Sequence, residues 1–237
     1  MKRPEIVSPG TFGVIIAADA RRIEFDLKNE SILHRAIPVD AVFLGDSITH
    51  YWELEAYFHA DQGLILNRGI AGDGTEFALR RFQADVLQLR PKMAIVMIGI
   101  NDTKFRSVFP SASSPLNPDA DKIVHTIVNN IRQMAHSAGD QGVDMAVCSI
   151  LPLHLPLSSR SGECNQIVAK ANHALQVFSD KQGIPFIDYH SRFVHEDGLT
   201  MRGELTDDGI HPHSGGYEIM AQVLTETLGG RLRRREQ

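Results

Sequence analysis

The sequence predicts a three-layer α/β/α domain built on a parallel sheet, and three observations carry that prediction. Short apolar runs of strand length are continuous rather than alternating, which suits strands buried on both faces. Helix-period stretches fall between them, and strand–helix alternation makes layers joined by right-handed crossovers. The scale is also right: 237 residues, 43% hydrophobic and 22% charged, are enough for one sizeable core without disulfides or a structural metal.

Residues 1–38 read as an N-terminal extension whose helix, Ile23 to Arg35, packs on the domain. Residues 39–229 read as the main domain and residues 230–237 as a basic C-terminal tail. The strands are expected at Val39 to Leu44, Leu64 to Leu66, Met93 to Ile98, Val143 to Ile150 and Pro185 to Ile187. After the third strand, Asn117-Pro118 offers an N-cap and a proline at the first helical position, and Ile123, Ile127, Ile131 and Met134 then share one face. After the fourth, Cys164, Ile167, Val168, Ala171, Leu175 and Phe178 form a stripe that ends at Gly183, with Pro185 barring continuation. The last helix carries Tyr217, Met220, Leu224 and Leu228 and stops at Gly229-Gly230. Each stripe is first of all core.

Net charge is −5, so nothing points to nucleic acid, which asks for a basic face. The single basic run, Arg231 and Arg233 to Arg235, is expected to be a solvated tail. Cys148 and Cys164 cannot form a disulfide framework or a four-ligand zinc site, and are expected as reduced packing residues in a cytoplasmic protein. Met1 to Gly10 lack the apolar segment of a secretory leader. No apolar run reaches the ~18 residues of a membrane span. Two long loops, Thr103 to Leu116 and Leu151 to Gly162, follow strands and are candidates to wall a substrate site.

In open α/β sheets, ligands bind at the carboxyl ends of the strands. The first strand ends in Gly45-Asp46-Ser47, the second in Asn67-Arg68-Gly69-Ile70-Ala71-Gly72-Asp73, and the third in Gly99-Ile100-Asn101-Asp102. Before the last helix comes Asp207-Asp208-Gly209-Ile210-His211-Pro212. Acyl transfer needs a nucleophile, a base, a group that orients the base, and donors aimed at a developing oxyanion. Ser47, His211 and Asp208 can fill the first three roles. The backbone N–H of Gly72 and the side-chain amide of Asn101 can supply the donors. Alone, each residue has an ordinary structural explanation as a turn, cap or surface group. Together, in order, at successive strand ends, they make a catalytic constellation.

Phe43 to Ser47, Asn67 to Asp73, Gly99 to Asp102 and Asp208 to Pro212 resemble the four blocks of the SGNH hydrolases, the GDSL esterases and lipases, over roughly Val39 to Leu228. The resemblance implies a flavodoxin-like five-stranded parallel sheet of order 2-1-3-4-5. It implies Ser47 as nucleophile, His211 as base, Asp208 as its orienter, and an oxyanion hole of Ser47 N–H, Gly72 N–H and the Asn101 amide. It implies no metal and no cofactor. Asn67 to Asp73, Leu89 to Val96 and Phe193 to Gly198 are most similar to the branch of platelet-activating-factor acetylhydrolase catalytic subunits, bacterial acylhydrolases and sugar O-acetylesterases. That branch implies short acyl groups, chiefly acetyl, on a small-molecule or carbohydrate ester, and is compatible with a homodimer. Residue 100 is Ile where relatives often carry Gly or Thr, which should tune the pocket. Asp46, Asp73 and Asp102 are expected in loop hydrogen bonding.

Alternatives within the same fold are a lysophospholipase or longer-chain lipid esterase, a thioesterase, and a non-catalytic small-molecule-binding module. A metal-dependent hydrolase would use Asp207, Asp208, His211 and His213, but no second cluster supplies further ligands. Gly69 to Gly74 is glycine-rich before a helix, as a phosphate loop is, but matches neither nucleotide fingerprint.

Overall fold

The computed structural model describes residues 5–10, 16–103, 119–158 and 160–235. Five strands form one parallel sheet: β1 (Val39–Gly45), β3 (Leu64–Gly69), β4 (Met93–Met97), β5 (Asp144–Cys148) and β6 (Phe186–Ile187). Their spatial order is β3-β1-β4-β5-β6, which is 2-1-3-4-5 counted along the chain, as expected. β4 is buried at every position and β1 at all but one, so continuous apolar runs were the correct signal for a two-sided sheet.

Helices cover the sheet. α4 (Thr75–Asp85), α5 (Ala120–Asp140) and α6 (Ser161–Gln182) pack side by side, and α1 (Ile16–Arg35) lies against α4. The short α2 (Ser47–His50) and α3 (Leu54–Tyr57) are tied to α8 (Ser214–Leu228) by aromatic packing, with Trp52 stacked on Tyr217 at 5.4 Å. The Tyr217 hydroxyl donates to the Ile48 carbonyl at 2.7 Å, which fixes α2 to α8. Buried Ile127, Ile131, Met134 and Ala138 on α5 recur at helical spacing. Gly183 and Gly229 close α6 and α8 in left-handed conformation, the ends the sequence assigned.

Three details differ from expectation. α1 begins seven residues earlier than Ile23, and the added stretch includes Arg22, buried and paired with Asp26 and Asp85, partners that periodicity does not reveal. Asn117-Pro118 lies outside the described residues, and the N-cap of α5 is Asp119, whose carboxylate accepts from Lys122 N at 3.2 Å. The loop after Thr103 also lies outside them. The basic run is not a free solvated tail. Arg233–Arg234 form β7, antiparallel to β2 (Phe58–His59), while Leu232 is buried and the two arginines pair with Asp61 and Glu218. A buried leucine and a two-residue backbone ladder outweigh the charge signal there. Both cysteines are free and buried. No described helix is long and apolar enough to cross a membrane.

The register positions the site. Gly45 pairs with Gly69 on one side and Met97 on the other. Three loops therefore leave the sheet at one level. α2 folds back over these strand tops so closely that a Cβ on Gly69 would meet the His50 backbone nitrogen at 2.2 Å. Only glycine fits there.

Candidate active site

Ser47 is the first residue of α2, and the Asp46 carboxylate caps that helix by accepting from Ile48 N at 2.9 Å. The Ser47 hydroxyl lies 2.8 Å from His211 Nε2, across 164 residues of sequence. His211 Nδ1 lies 2.5 Å from Asp208 Oδ2. The other Asp208 oxygen accepts from the backbone N–H groups of Ile210 and His211, both at 2.8 Å. The Asp208 carboxyl sits below its ordinary range: burial pushes it up, and the His211 and Ile210 N–H groups and the imidazole outweigh that effect. An ionised Asp208 has no proton to give, so Nδ1 carries the hydrogen. Nε2 then presents its lone pair to the Ser47 hydroxyl.

The turn that carries Asp208 and His211 is held locally and from below. Thr206 Oγ1 accepts from Gly209 N at 2.9 Å. Gly209 has φ +81°, and a Cβ there would meet the His154 carbonyl oxygen at 2.1 Å. That close approach is used: His154 N donates to Gly209 O at 2.8 Å. His154 belongs to the loop after β5, and two asparagines of α6 brace that loop. Asn172 exchanges both hydrogen bonds with the Ile150 backbone, and Asn165 does the same with Leu153. The segment flagged as a possible site wall thus supports the turn that carries Asp208 and His211. Tyr51 meets the His211 ring edge-on at 5.2 Å.

On the other flank, Gly72 and Asn101 approach through Asp73. The Asn101 amide donates to the Asp73 carbonyl at 2.8 Å, which engages one of its two hydrogens. Asp102 accepts from Thr75 N at 3.0 Å and from the Thr75 hydroxyl at 2.5 Å. A carboxylate therefore already occupies the start of α4, where a phosphate loop would need bare N–H groups. This argues against the nucleotide-binding reading. Asp46, Asp73 and Asp102 all have their carboxyls pushed up, chiefly by burial, Asp46 to about 7. Each serves as a loop hydrogen-bond acceptor, the role expected of it.

His213 is spent structurally: Nε2 donates to Glu204 O at 2.7 Å and Nδ1 accepts from Gly215 N at 3.0 Å at the start of α8. Among the described residues no three His, Cys, Asp or Glu are grouped to hold a metal ion. A groove of about 560 Å³ opens beside Gly72 and Asn101 and runs to Phe77, Lys122 and Ile123. A larger concavity of about 990 Å³, near Arg132, Phe178 and Pro185, lies at the amino ends of β5 and β6 and touches none of these groups. Chemistry, not size, selects the site.

Sequence reasoning missed the buried charges behind Gly72 and Asn101. Arg81 is fully buried and donates to Asp73 at 2.7 Å and to Asp85 at 2.9 Å. The only trace in sequence is the Arg81–Asp85 spacing of one helical turn, which normally marks an exposed pair.

The model of the GDSL-like Lipase/Acylhydrolase family matches residues 43–219, which hold every residue of the constellation. The chain is 26% identical over 200 residues to the human platelet-activating factor acetylhydrolase IB subunit alpha1, covering 80% of this chain and 75% of that one. It is 23% identical over 194 residues to an acetylxylan esterase of Xylanibacter ruminicola, covering 78% of this chain and 36% of the relative. In fold it is similar to the crystal structure of a GDSL-like lipase from Bacteroides thetaiotaomicron, with TM-score 0.66 at 23% identity over 85% of this chain and 97% of that one. The family match spans most of the sequence, from within β1 into α8, and on that ground the chain belongs to the GDSL-like lipase/acylhydrolase family and is a carboxylic ester hydrolase.

Proposed function

We propose that the protein hydrolyses short-chain esters, chiefly acetyl esters of small molecules or carbohydrates, through an acyl-enzyme on Ser47. The observation that carries this reading is the unbroken chain Asp208–His211–Ser47, with links of 2.5 and 2.8 Å. His211 Nε2 takes the Ser47 proton as Oγ bonds to the ester carbonyl carbon. The carbonyl oxygen becomes an oxyanion between the N–H groups of Ser47 and Gly72 and the free hydrogen of the Asn101 amide. Collapse breaks the carbon–oxygen bond to the alcohol, and His211 returns the proton to that leaving oxygen. A water, deprotonated by His211, repeats the sequence and releases the acid.

Support for the acetyl preference comes from the relatives. Those named for their activity are an acetylhydrolase and an acetylxylan esterase. The two buried free thiols support a reducing, cytoplasmic setting.

The test is hydrolysis of p-nitrophenyl acetate, butyrate and octanoate by wild type and Ser47→Ala. Turnover should fall with chain length and vanish in the variant. Equal rates in wild type and Ser47→Ala would overturn the nucleophile assignment. A best rate on octanoate would overturn the acetyl preference in favour of a lipid esterase.

A further inference from the structure

Arg81 has no place in acyl transfer, yet it is fully buried on α4 behind the site and uses four of its five N–H donors. Its partners are the parts that must stay aligned. Nη2 donates to Gly45 O at 3.0 Å, two residues before Ser47. One Nη1 hydrogen goes to Arg68 O at 2.8 Å, at the top of β3. Nε donates to the Asp73 carboxylate at 2.7 Å. Asp73 directly follows Gly72, and its carbonyl is the acceptor that orients the Asn101 amide. One planar cation thus ties the nucleophile's strand end to both outer donors of the oxyanion hole.

The network continues outward to α1, which precedes the family match. Asp85 joins Arg81 to Arg22, with Arg22 Nη1 donating to Asp85 Oδ1 at 2.5 Å. Asn29, two turns on, accepts from Arg68 Nη2 at 2.7 Å and donates to Ala84 O at 3.0 Å. Phe25, on the same stripe and buried, lies under the Arg68 guanidinium at 4.8 Å. Desolvating such charges gains little stability over apolar packing. A rigid fork aimed at four acceptors does fix geometry.

We infer that Arg81 is a positioning residue that sets the oxyanion hole through Asp73, and that Arg22 makes α1 the outer anchor of the same device. The inference rests on the roles proposed for Ser47, Gly72 and Asn101.

Arg81→Lys keeps the charge and loses the fork. With p-nitrophenyl acetate it should lower kcat about 10- to 100-fold while KM stays within about threefold, the mark of an interaction felt in the transition state. In an Asn101→Ala background the same change should cost several-fold less than it does alone, because one of the two donors it positions is gone. A purely structural role would multiply in full, and that result, or an unchanged kcat, would overturn the inference. If Arg81→Lys does not fold, Asp73→Asn serves the same cycle, with the same less-than-multiplicative outcome expected. Arg22→Gln should lower kcat about threefold with KM unchanged; no change would detach α1 from the device. Ser47→Ala separates the two readings. Residual activity there overturns the catalytic assignment, whereas a dead Ser47→Ala beside a fully active Arg81→Lys overturns only this inference.

Discussion

Asp208 and His211 lie three residues apart on a turn, with the Asp208 side chain 51% exposed. Nearly all the hydrogen bonds that hold this pair close between Thr206 and His211. Ser47, Gly72 and Asn101 come from three separate strand ends and are joined by buried groups up to 36 residues apart, as in the Arg81–Gly45 bond. The carboxyls of the two flanks respond in opposite directions. Asp208 is pushed down by local N–H donors, while Asp46, Asp73 and Asp102 are pushed up by burial. On the proposed roles, a proton acceptor can thus be tuned by a short turn of chain. An oxyanion hole needs fixed donors from distant loops, and only a packed interior holds those still.

Breaking the turn's electrostatics should have the largest effect. Asp208→Asn keeps an oxygen for the Ile210 and His211 N–H groups but turns an amide N–H towards His211 Nδ1. The imidazole must then carry its proton on Nε2, the wrong side for Ser47. We expect kcat to fall by about 10⁴ while folding is retained. Steady-state kinetics with a thermal-melt control check this, and a loss below tenfold would show that Asp208 does not set the tautomer.

The buried flank is probed next. Asn101→Ala should reduce kcat by about 10²–10³, the usual effect of losing one oxyanion donor. The shape of the pH–rate profile should be unchanged, because Asp208 and His211 are untouched. A shifted profile would mean that the two flanks are electrostatically coupled, which would blur the comparison.

The smallest effect concerns stability and sharpens the contrast in sign. The Asp46 carboxyl is raised from 3.8 to about 7, first by burial and then by the charges of Asp73 and Asp102. Between those values the folded chain holds a proton that the unfolded chain has released, so stability falls as pH rises through that window. Asp46→Asn keeps an oxygen for Ile48 N and cannot lose a proton. Its Tm should exceed that of wild type by about 2–8 °C at pH 8, with no advantage at pH 4. Asp208 works the other way: its lowered carboxyl contributes stability above its ordinary range and loses it as pH falls. Parallel melting curves at every pH would remove the Asp46 part of this contrast.

The sheet, its five strands to within a few residues and the helix stops at Gly183 and Gly229 were legible in the amino-acid sequence, as were the short polar blocks from which the site is proposed. These are legible because they are written locally: apolar runs, caps and short polar blocks each report on a few neighbouring residues. What stands behind them emerged only once the chain was folded. Periodicity places Arg81 on a helix and cannot say that it faces Asp73, Arg68 and Gly45, since those partners come from other strands. The same holds for Arg22 reaching Asp85, for the loop after β5 bracing Gly209, and for Arg233–Arg234 pairing with β2 instead of trailing into solvent. Charge is informative in sequence where it stays exposed. Once buried, its meaning depends on partners that the chain brings together only by folding.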